Sequence, residues 1–187
     1  MIYIIPTDTC YWMACPIHDL KAYDWIYKIK KRSLDKALAI LVPDFKWLKE
    51  NTELSSEQID FLENYEKPFT ILTECNSLKI WINYIDEDNN EFLNRDIYEK
   101  FAFRVANNSI QKRLLKENGP MFLTSANISN NPEIYFKNEI KEQFAYYLEK
   151  WTIQFLWENM WNPDKNPPSD IFEFEWESLD LNYLRKN

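Results

Sequence analysis

The chain's only glycine, Gly119, opens the stretch that most limits how the remaining residues can be arranged. Gly119-Pro120 interrupts a helical pattern. Met121 to Leu123 is an apolar run of buried-strand type, and the polar cluster Thr124-Ser125-Ala126-Asn127-Ile128-Ser129-Asn130 follows where that strand ends. Ser125 and Asn127 are two apart, so on extended backbone both side chains point the same way. A hydroxyl and an amide placed there can each donate and accept hydrogen bonds. Open α/β sheets bind ligands at the carboxyl ends of strands, but Ser and Asn are also common turn formers, and the stretch alone leaves a purely capping role open. Average usage of about 7% would give roughly 13 glycines in a chain of this length. With one, neither a GxGxxG fingerprint nor a GxxxxGKS/T loop is possible, and any nucleotide site must be built another way.

Strand and helix signals alternate along the chain. Strands are expected at 2–5, 37–42, 68–73, 78–85, 101–105, 121–123, 152–156, 170–174 and 181–185. Helices are expected at 19–31, 44–50, 55–65, 109–118 and 137–150, with Asp19 and Ser55 as N-caps. Residues 6–12, 86–96 and 157–168 read as loops. This pattern predicts an α/β fold: one domain over 1–187, with a twisted, mixed β-sheet flanked by helices.

The 187 residues carry a net charge of −8, which argues against broad gripping of nucleic acid, because phosphate neutralisation drives such binding. A local basic pocket for one small anion remains compatible with it. No apolar run reaches membrane-spanning length and no secretory signal pattern is present, so a cytoplasmic protein with no membrane partner is expected. Cys10, Cys15 and Cys75 lack metal-ligand spacing and read as small buried residues, and His18 is the only histidine. No catalytic triad and no metal-ligating cluster is indicated.

Lys30 and Arg32 stand two apart at the end of a helical pattern, with Lys36 four further on. Cations at a helix C-terminus suit its dipole and can simply be solvated. The same cluster also suits a triphosphate, where Arg supplies a fork and Lys a point charge.

Taken in order, Pro6-Thr7-Asp8-Thr9-Cys10-Tyr11, Lys30-Lys31-Arg32 with Asp35-Lys36, Pro68-Phe69-Thr70, Phe103-Arg104-Val105, Thr124-Ser125-Ala126-Asn127-Ile128-Ser129, Pro168-Ser169-Asp170-Ile171 and Leu184-Arg185 resemble the YrdC/Sua5-like family, in its short bacterial form. The resemblance covers almost the whole chain and implies the YrdC-like fold. It implies an L-threonylcarbamoyladenylate synthase, a nucleotidyltransferase that joins L-threonine, bicarbonate and ATP with release of pyrophosphate. The product serves tRNA threonylcarbamoyladenosine modification, in which other threonylcarbamoylation proteins are the partners and RNA binding by the synthase is weak. The family's pattern assigns Lys30, Arg32, Lys36, Thr70, Asn127 and Arg185 to ATP, and Thr9, Ser125 and Ser169 to threonine. No protein nucleophile is implied, and Mg²⁺ is expected to bridge the ATP phosphates.

The chain departs from the family's pattern in several places. The family's N-terminal helix is missing from the chain as written. Trp12 and Trp157 stand where the family carries glycine, and Asn130 replaces another. Asn tolerates positive φ, but a Trp at position 12 would fill a pocket. Two readings of the tryptophans stay open: genuine substitution in an AT-rich lineage, or native glycine encoded by UGA. Mass spectrometry of the native protein separates them at position 12. The alternative to the synthase is an inactive YrdC-like paralogue that binds nucleotide or RNA.

Overall fold

Apolar runs and side-chain caps set the element boundaries. The computed structural model describes residues 1–34, 36–75, 78, 83–85, 91–93, 100–150, 152–155, 162–163, 165–176 and 178–187. In chain order the elements are β1 (Ile2–Pro6), β2 (Tyr11–Pro16), α1 (Leu20–Lys30), β3 (Ala39–Val42), α2 (Phe45–Asn51), α3 (Ser56–Glu63), β4 (Phe69–Thr73), β5 (Asn83–Ile85), β6 (Glu91–Leu93), β7 (Phe101–Val105), α4 (Ser109–Asn118), β8 (Met121–Ser125), α5 (Lys137–Glu149), β9 (Ile153–Phe155), β10 (Asp170–Phe174) and β11 (Leu181–Arg185). Asp19, Asp44 and Asn108 accept backbone N–H groups in the first turns of α1, α2 and α4, and Ser55 with Gln58 closes a capping box on α3. Each such cap is worth about 1 kcal/mol.

Nine strands form one mixed sheet in the order β11-β10-β4-β7-β3-β8-β2-β1-β9, and β5 pairs with β6 separately. The pairs β1–β9, β3–β7 and β4–β10 are parallel, and the other pairs in the large sheet are antiparallel. This is the mixed, helix-flanked sheet expected from the alternating pattern. Among the described residues no helix is long and apolar enough to cross a membrane.

Cross-strand partners share a face of the sheet, and the register therefore sorts the side chains. Ile40, Ile71, Phe103 and Phe122 belong to the larger core, together with Ile26 of α1, Leu48 of α2, Ile59 of α3 and Phe144 of α5. Leu41, Met121 and Leu123 point to the opposite face and form a smaller core with Leu114 and Leu115 of α4. That second face is only partly covered by a helix, and the rest of it carries the site described below.

Two expectations are corrected. Residues 6–12 were expected to be a loop, yet β2 begins at Tyr11 and pairs with both β1 and β8. Only Thr7 to Cys10 turns, closed by the Thr7 amide donating to the Cys10 carbonyl at 3.2 Å. The run Tyr11 to Cys15 is apolar throughout because both faces of this strand are covered. Residues 86–96 were expected to be a polar loop, but Glu91–Leu93 pairs with Asn83–Ile85. Cys10 and Cys15 are buried and Cys75 is half-buried, and none is in a disulfide.

The C-terminal hairpin is held by aromatic packing. Phe172, with 0% of its surface exposed, lies with its ring centroid 5.2 Å from Tyr65, 6.0 Å from Phe69 and 5.5 Å from Tyr183. Phe172→Ala is expected to lower the unfolding free energy by about 3–5 kcal/mol. Trp176→Ala, at a residue 90% exposed, is expected to change it by no more than about 0.5 kcal/mol. Urea denaturation of the two variants checks both values.

Candidate functional site

Helix α1 ends in a left-handed residue that is not glycine. Lys31 has φ 49°, its N–H donates to the Lys28 carbonyl at 3.2 Å, and the Arg32 N–H donates to the Tyr27 carbonyl at 2.9 Å. This reversal turns Lys30 into the protein and sends Arg32 over the sheet. Lys30 is 1% exposed. Its Nζ donates to the carbonyl oxygens of Ser125 and Asn127 and to Asn127 Oδ1 at 3.3 Å. The Ser129 N–H returns to the Lys30 carbonyl at 2.8 Å. Burial, and then the charge of Arg32, bring the Lys30 ammonium down to about 7.

The polar cluster after β8 is folded around this ammonium. Ser125 Oγ donates to Asn127 Oδ1 at 2.6 Å, and Asn127 Nδ2 donates to the Asn131 carbonyl at 2.6 Å. Asn130 has φ 69°, the left-handed conformation expected of an Asn standing in place of glycine.

Beside this cluster, on the more open face of the sheet, lies a cavity of about 220 Å³. Its floor is made of small or apolar side chains at alternate strand positions, Ala39, Ala102 and Leu123. Among the described residues its walls carry hydroxyls, those of Thr9, Thr70, Ser125 and Ser169 included, and the guanidinium groups of Arg32 and Arg185. Arg32 is braced by the loop it follows: Nε donates to the Lys36 carbonyl at 2.9 Å and Nη2 to the Ala37 carbonyl at 2.8 Å. Arg185 Nε and Nη2 donate to the Ser169 carbonyl at 2.9 Å and to its Oγ at 3.2 Å. Ser169 Oγ in turn lies 3.1 Å from Thr70 Oγ1. Each guanidinium keeps N–H groups beyond those used for bracing, in the fixed fork that suits a carboxylate or phosphate.

Trp12 occupies one wall. Its Nε1 donates to Thr9 Oγ1 at 3.1 Å, and the Thr9 hydroxyl also meets Thr7 Oγ1 at 3.1 Å. Arg104 stacks on the other side of the indole, with Cζ 4.8 Å from the ring centroid, and pairs through Nη2 with Asp8. Burial lowers the Arg104 pKa despite the opposing charge of Asp8. Its Nη1 is buried without an acceptor among the described residues.

The structure thus brings Thr9, Arg32, Thr70, Ser125, Ser169 and Arg185 to one cavity. Lys30 and Asn127 stand behind Ser125 as a buried support. The side chain of Lys36 is exposed, and its contribution to the cavity wall is the carbonyl that braces Arg32. Trp157 and Asp35 lie outside the described residues. Sequence reasoning gave no role to Arg104, although an arginine inside the apolar run of β7 signals a paired, buried charge. It also missed Glu133, which lines the cavity and which no spacing or motif singles out.

Comparison with known proteins gives a consistent grouping. The Sua5/YciO/YrdC family model, described as telomere recombination, matches residues 1–155. A threonylcarbamoyl-AMP synthase of Pseudoalteromonas translucida (strain TAC 125) is 24% identical over 154 residues, which cover 80% of this chain and 79% of that protein. Among solved structures, P. abyssi Sua5 complexed with L-threonine superposes with TM-score 0.69 at 20% identity, covering 98% of this chain and 49% of Sua5. E. coli YciO gives 0.69 at 18% identity, covering 99% of this chain and 82% of YciO. Full-length HypF in a phosphate- and nucleotide-bound form gives 0.69 at 20% identity, covering 92% of this chain and 25% of HypF. The chain therefore spans about half the length of Sua5 and a quarter of HypF. At these identities the structural likenesses establish the fold, and the sequence match of residues 1–155 establishes the lineage: the chain belongs to the Sua5/YciO/YrdC family.

Proposed function

We propose that this protein is an L-threonylcarbamoyladenylate synthase, which adenylates the carbamate of L-threonine with ATP and releases pyrophosphate. One observation carries the reading: several hydroxyls and the guanidinium groups of Arg32 and Arg185 converge on one cavity in a protein of this family. The relative named threonylcarbamoyl-AMP synthase and the threonine-bound Sua5 structure agree with it. In this reading Thr9, Ser125 and Ser169 hold threonine, and Arg32, Arg185 and Thr70 hold ATP. Lys30 and Asn127 act from behind, by fixing the backbone that presents Ser125. Lys36 serves ATP through the Arg32 brace and its exposed ammonium.

The chemistry asks little of the protein beyond placement. A carbamate oxygen of N-carboxythreonine, formed from threonine and bicarbonate, attacks the α-phosphorus of ATP. A P–O bond forms as the bond to the β-phosphate oxygen breaks, and pyrophosphate leaves. Two anions must be held together while charge builds on phosphate, which is work for fixed cations and N–H donors. Among the described residues the cavity lining holds one carboxylate, Glu133, and this sparse donor set fits a Mg²⁺ ion carried by the triphosphate itself. That ion would neutralise phosphate charge. The threonylcarbamoyl group then passes to tRNA on partner proteins, in keeping with a chain of net charge −8.

Trp12 favours a second reading, an inactive relative that binds nucleotide or RNA, because the indole takes space and ties up the Thr9 hydroxyl. Pyrophosphate release from ATP and bicarbonate, with and without L-threonine, separates the two. Threonine-dependent release is expected from the chain as written. Release only after Trp12→Gly would mean that the indole blocks the site, and ATP binding without release by either would overturn the synthase. Ser125→Ala is expected to lower kcat/KM for threonine about tenfold or more. Arg185→Met is expected to lower kcat/KM for ATP by about tenfold to a hundredfold.

Lys30 gives a pH test of the support. Its folded pKa, about 7, lies below the unfolded value of about 10.4. The unfolded chain therefore binds the extra proton between these limits, and the penalty for burying the ammonium falls as pH rises through that window. The stability of the protein relative to Lys30→Met is expected to increase from about pH 6.5 to about pH 8.5. Parallel urea titrations across this range check it; a flat difference would overturn the assignment.

A further inference from the structure

We propose that Glu133 is the receptor for the α-ammonium group of the amino-acid substrate. The inference rests on the threonine reading and adds to it the residue that distinguishes an amino acid from a plain hydroxy acid.

A carboxylate in this cavity needs a reason. Arg32 and Arg185 make the cavity attractive to anions, and a fixed negative charge among its walls works against a triphosphate or carboxylate ligand. The cost is offset if the ligand brings a cation of its own. Threonine does: it is a zwitterion, with a carboxylate that the positive field of the cavity favours, a hydroxyl for the Thr and Ser side chains, and an ammonium for which Glu133 is, among the described residues, the one anionic group in the lining.

Glu133 is held as a binding group would be. The next residue, Ile134, is 5% exposed, and its carbonyl accepts the Tyr11 N–H at 2.9 Å, so the backbone is tied to the start of β2. The Tyr135 hydroxyl donates to Glu133 Oε2 at 3.0 Å. Burial and this contact with Glu133 raise the Tyr135 pKa to about 12, so the hydroxyl stays a donor at working pH. Among the described residues no Lys or Arg forms an ion pair with Glu133. Arg185, close enough to feel its charge, is bonded to Ser169 instead. Among the described residues, one carboxylate oxygen is thus fixed by Tyr135 while the other is left for a ligand. Two anchoring contacts plus an oxygen unpaired among the described residues make a preorganised cation receptor.

The test is calorimetric titration with two probes in EDTA: L-threonine, and (R)-3-hydroxybutanoate, which is threonine without its amine. The wild-type protein is expected to bind threonine about tenfold or more tighter than the hydroxy acid, the usual worth of a charge-assisted contact. Glu133→Gln is expected to lose that preference by weakening threonine alone, with the hydroxy acid within about twofold of wild type. Glu133→Asp, which keeps the charge, is expected to retain part of it. Equal loss for both probes, or no loss for either, would overturn the assignment while leaving the threonine reading intact. So would a loss that appears only when Mg²⁺ replaces EDTA, because Glu133 would then act through the metal. Wild-type protein that binds neither probe would overturn the threonine reading and this proposal together. Thermal unfolding of Glu133→Gln close to that of wild type excludes a folding defect as the cause.

Discussion

A buried ammonium holds the end of α1 to the end of β8. Lys30 reaches three oxygens of the Ser125–Asn127 segment, and the Ser129 N–H bonds back to the Lys30 carbonyl. Burying a lysine is costly unless its donors are met, and here carbonyls and an amide meet them without a carboxylate. The consequence is a polar cluster whose backbone is fixed before any ligand arrives, with Ser125 facing the cavity and Asn127 behind it. The left-handed turn at Lys31 is part of the same arrangement, because it puts Lys30 below the surface and Arg32 above it within two residues.

The sheet makes the cavity by an economy of side-chain size. Ala39 and Ala102 lie on adjacent strands β3 and β7, whose intervening positions bury Ile40 and Phe103 in the larger core. Strand periodicity lets one face be bulky and the other small. α4 covers part of the small-residue face through Leu114 and Leu115, and the uncovered remainder is the cavity. Charge follows the same division. A chain of net charge −8 concentrates Arg32, Arg185 and, beneath Trp12, Arg104 around one concavity, where low-dielectric walls strengthen their field.

Much of this was legible in the sequence, and the reasons for the gaps are physical. The polar cluster after Leu123 announced itself because five of the seven residues that follow the apolar run carry hydrogen-bonding side chains. Arg32, Thr70, Ser169 and Arg185 were found as separate short motifs far apart in the chain, and the pairing of β4 with β10 and of β10 with β11 brings the last three together. β2 was missed because Pro6 and the Thr-Asp-Thr turn dominated the local signal, whereas the strand is specified by burial on both faces. The helix-end signal of Lys30 and Arg32 was also real, but spacing does not tell which cation turns inward. Glu133 left no pattern to read: it reaches the cavity through the Ile134–Tyr11 backbone bond, a long-range contact with no periodicity.

Glycine scarcity leaves its mark on the same geometry. Where the backbone needs positive φ, Lys31 and Asn130 supply it at some conformational cost. Position 12 is a different matter, since it lies in a regular strand opposite Ser125 and needs no special φ. What glycine would change there is space. With the indole in place, its N–H is satisfied by Thr9 and its face by Arg104, so Trp12 is integrated rather than merely tolerated. Without it, the Thr9 hydroxyl would keep its contact with Thr7, and Arg104, whose Nη1 already lacks an acceptor among the described residues, would lose the ring that covers it. The identity of this one residue therefore sets how much room the cavity keeps beside Thr9 and what covers the guanidinium of Arg104.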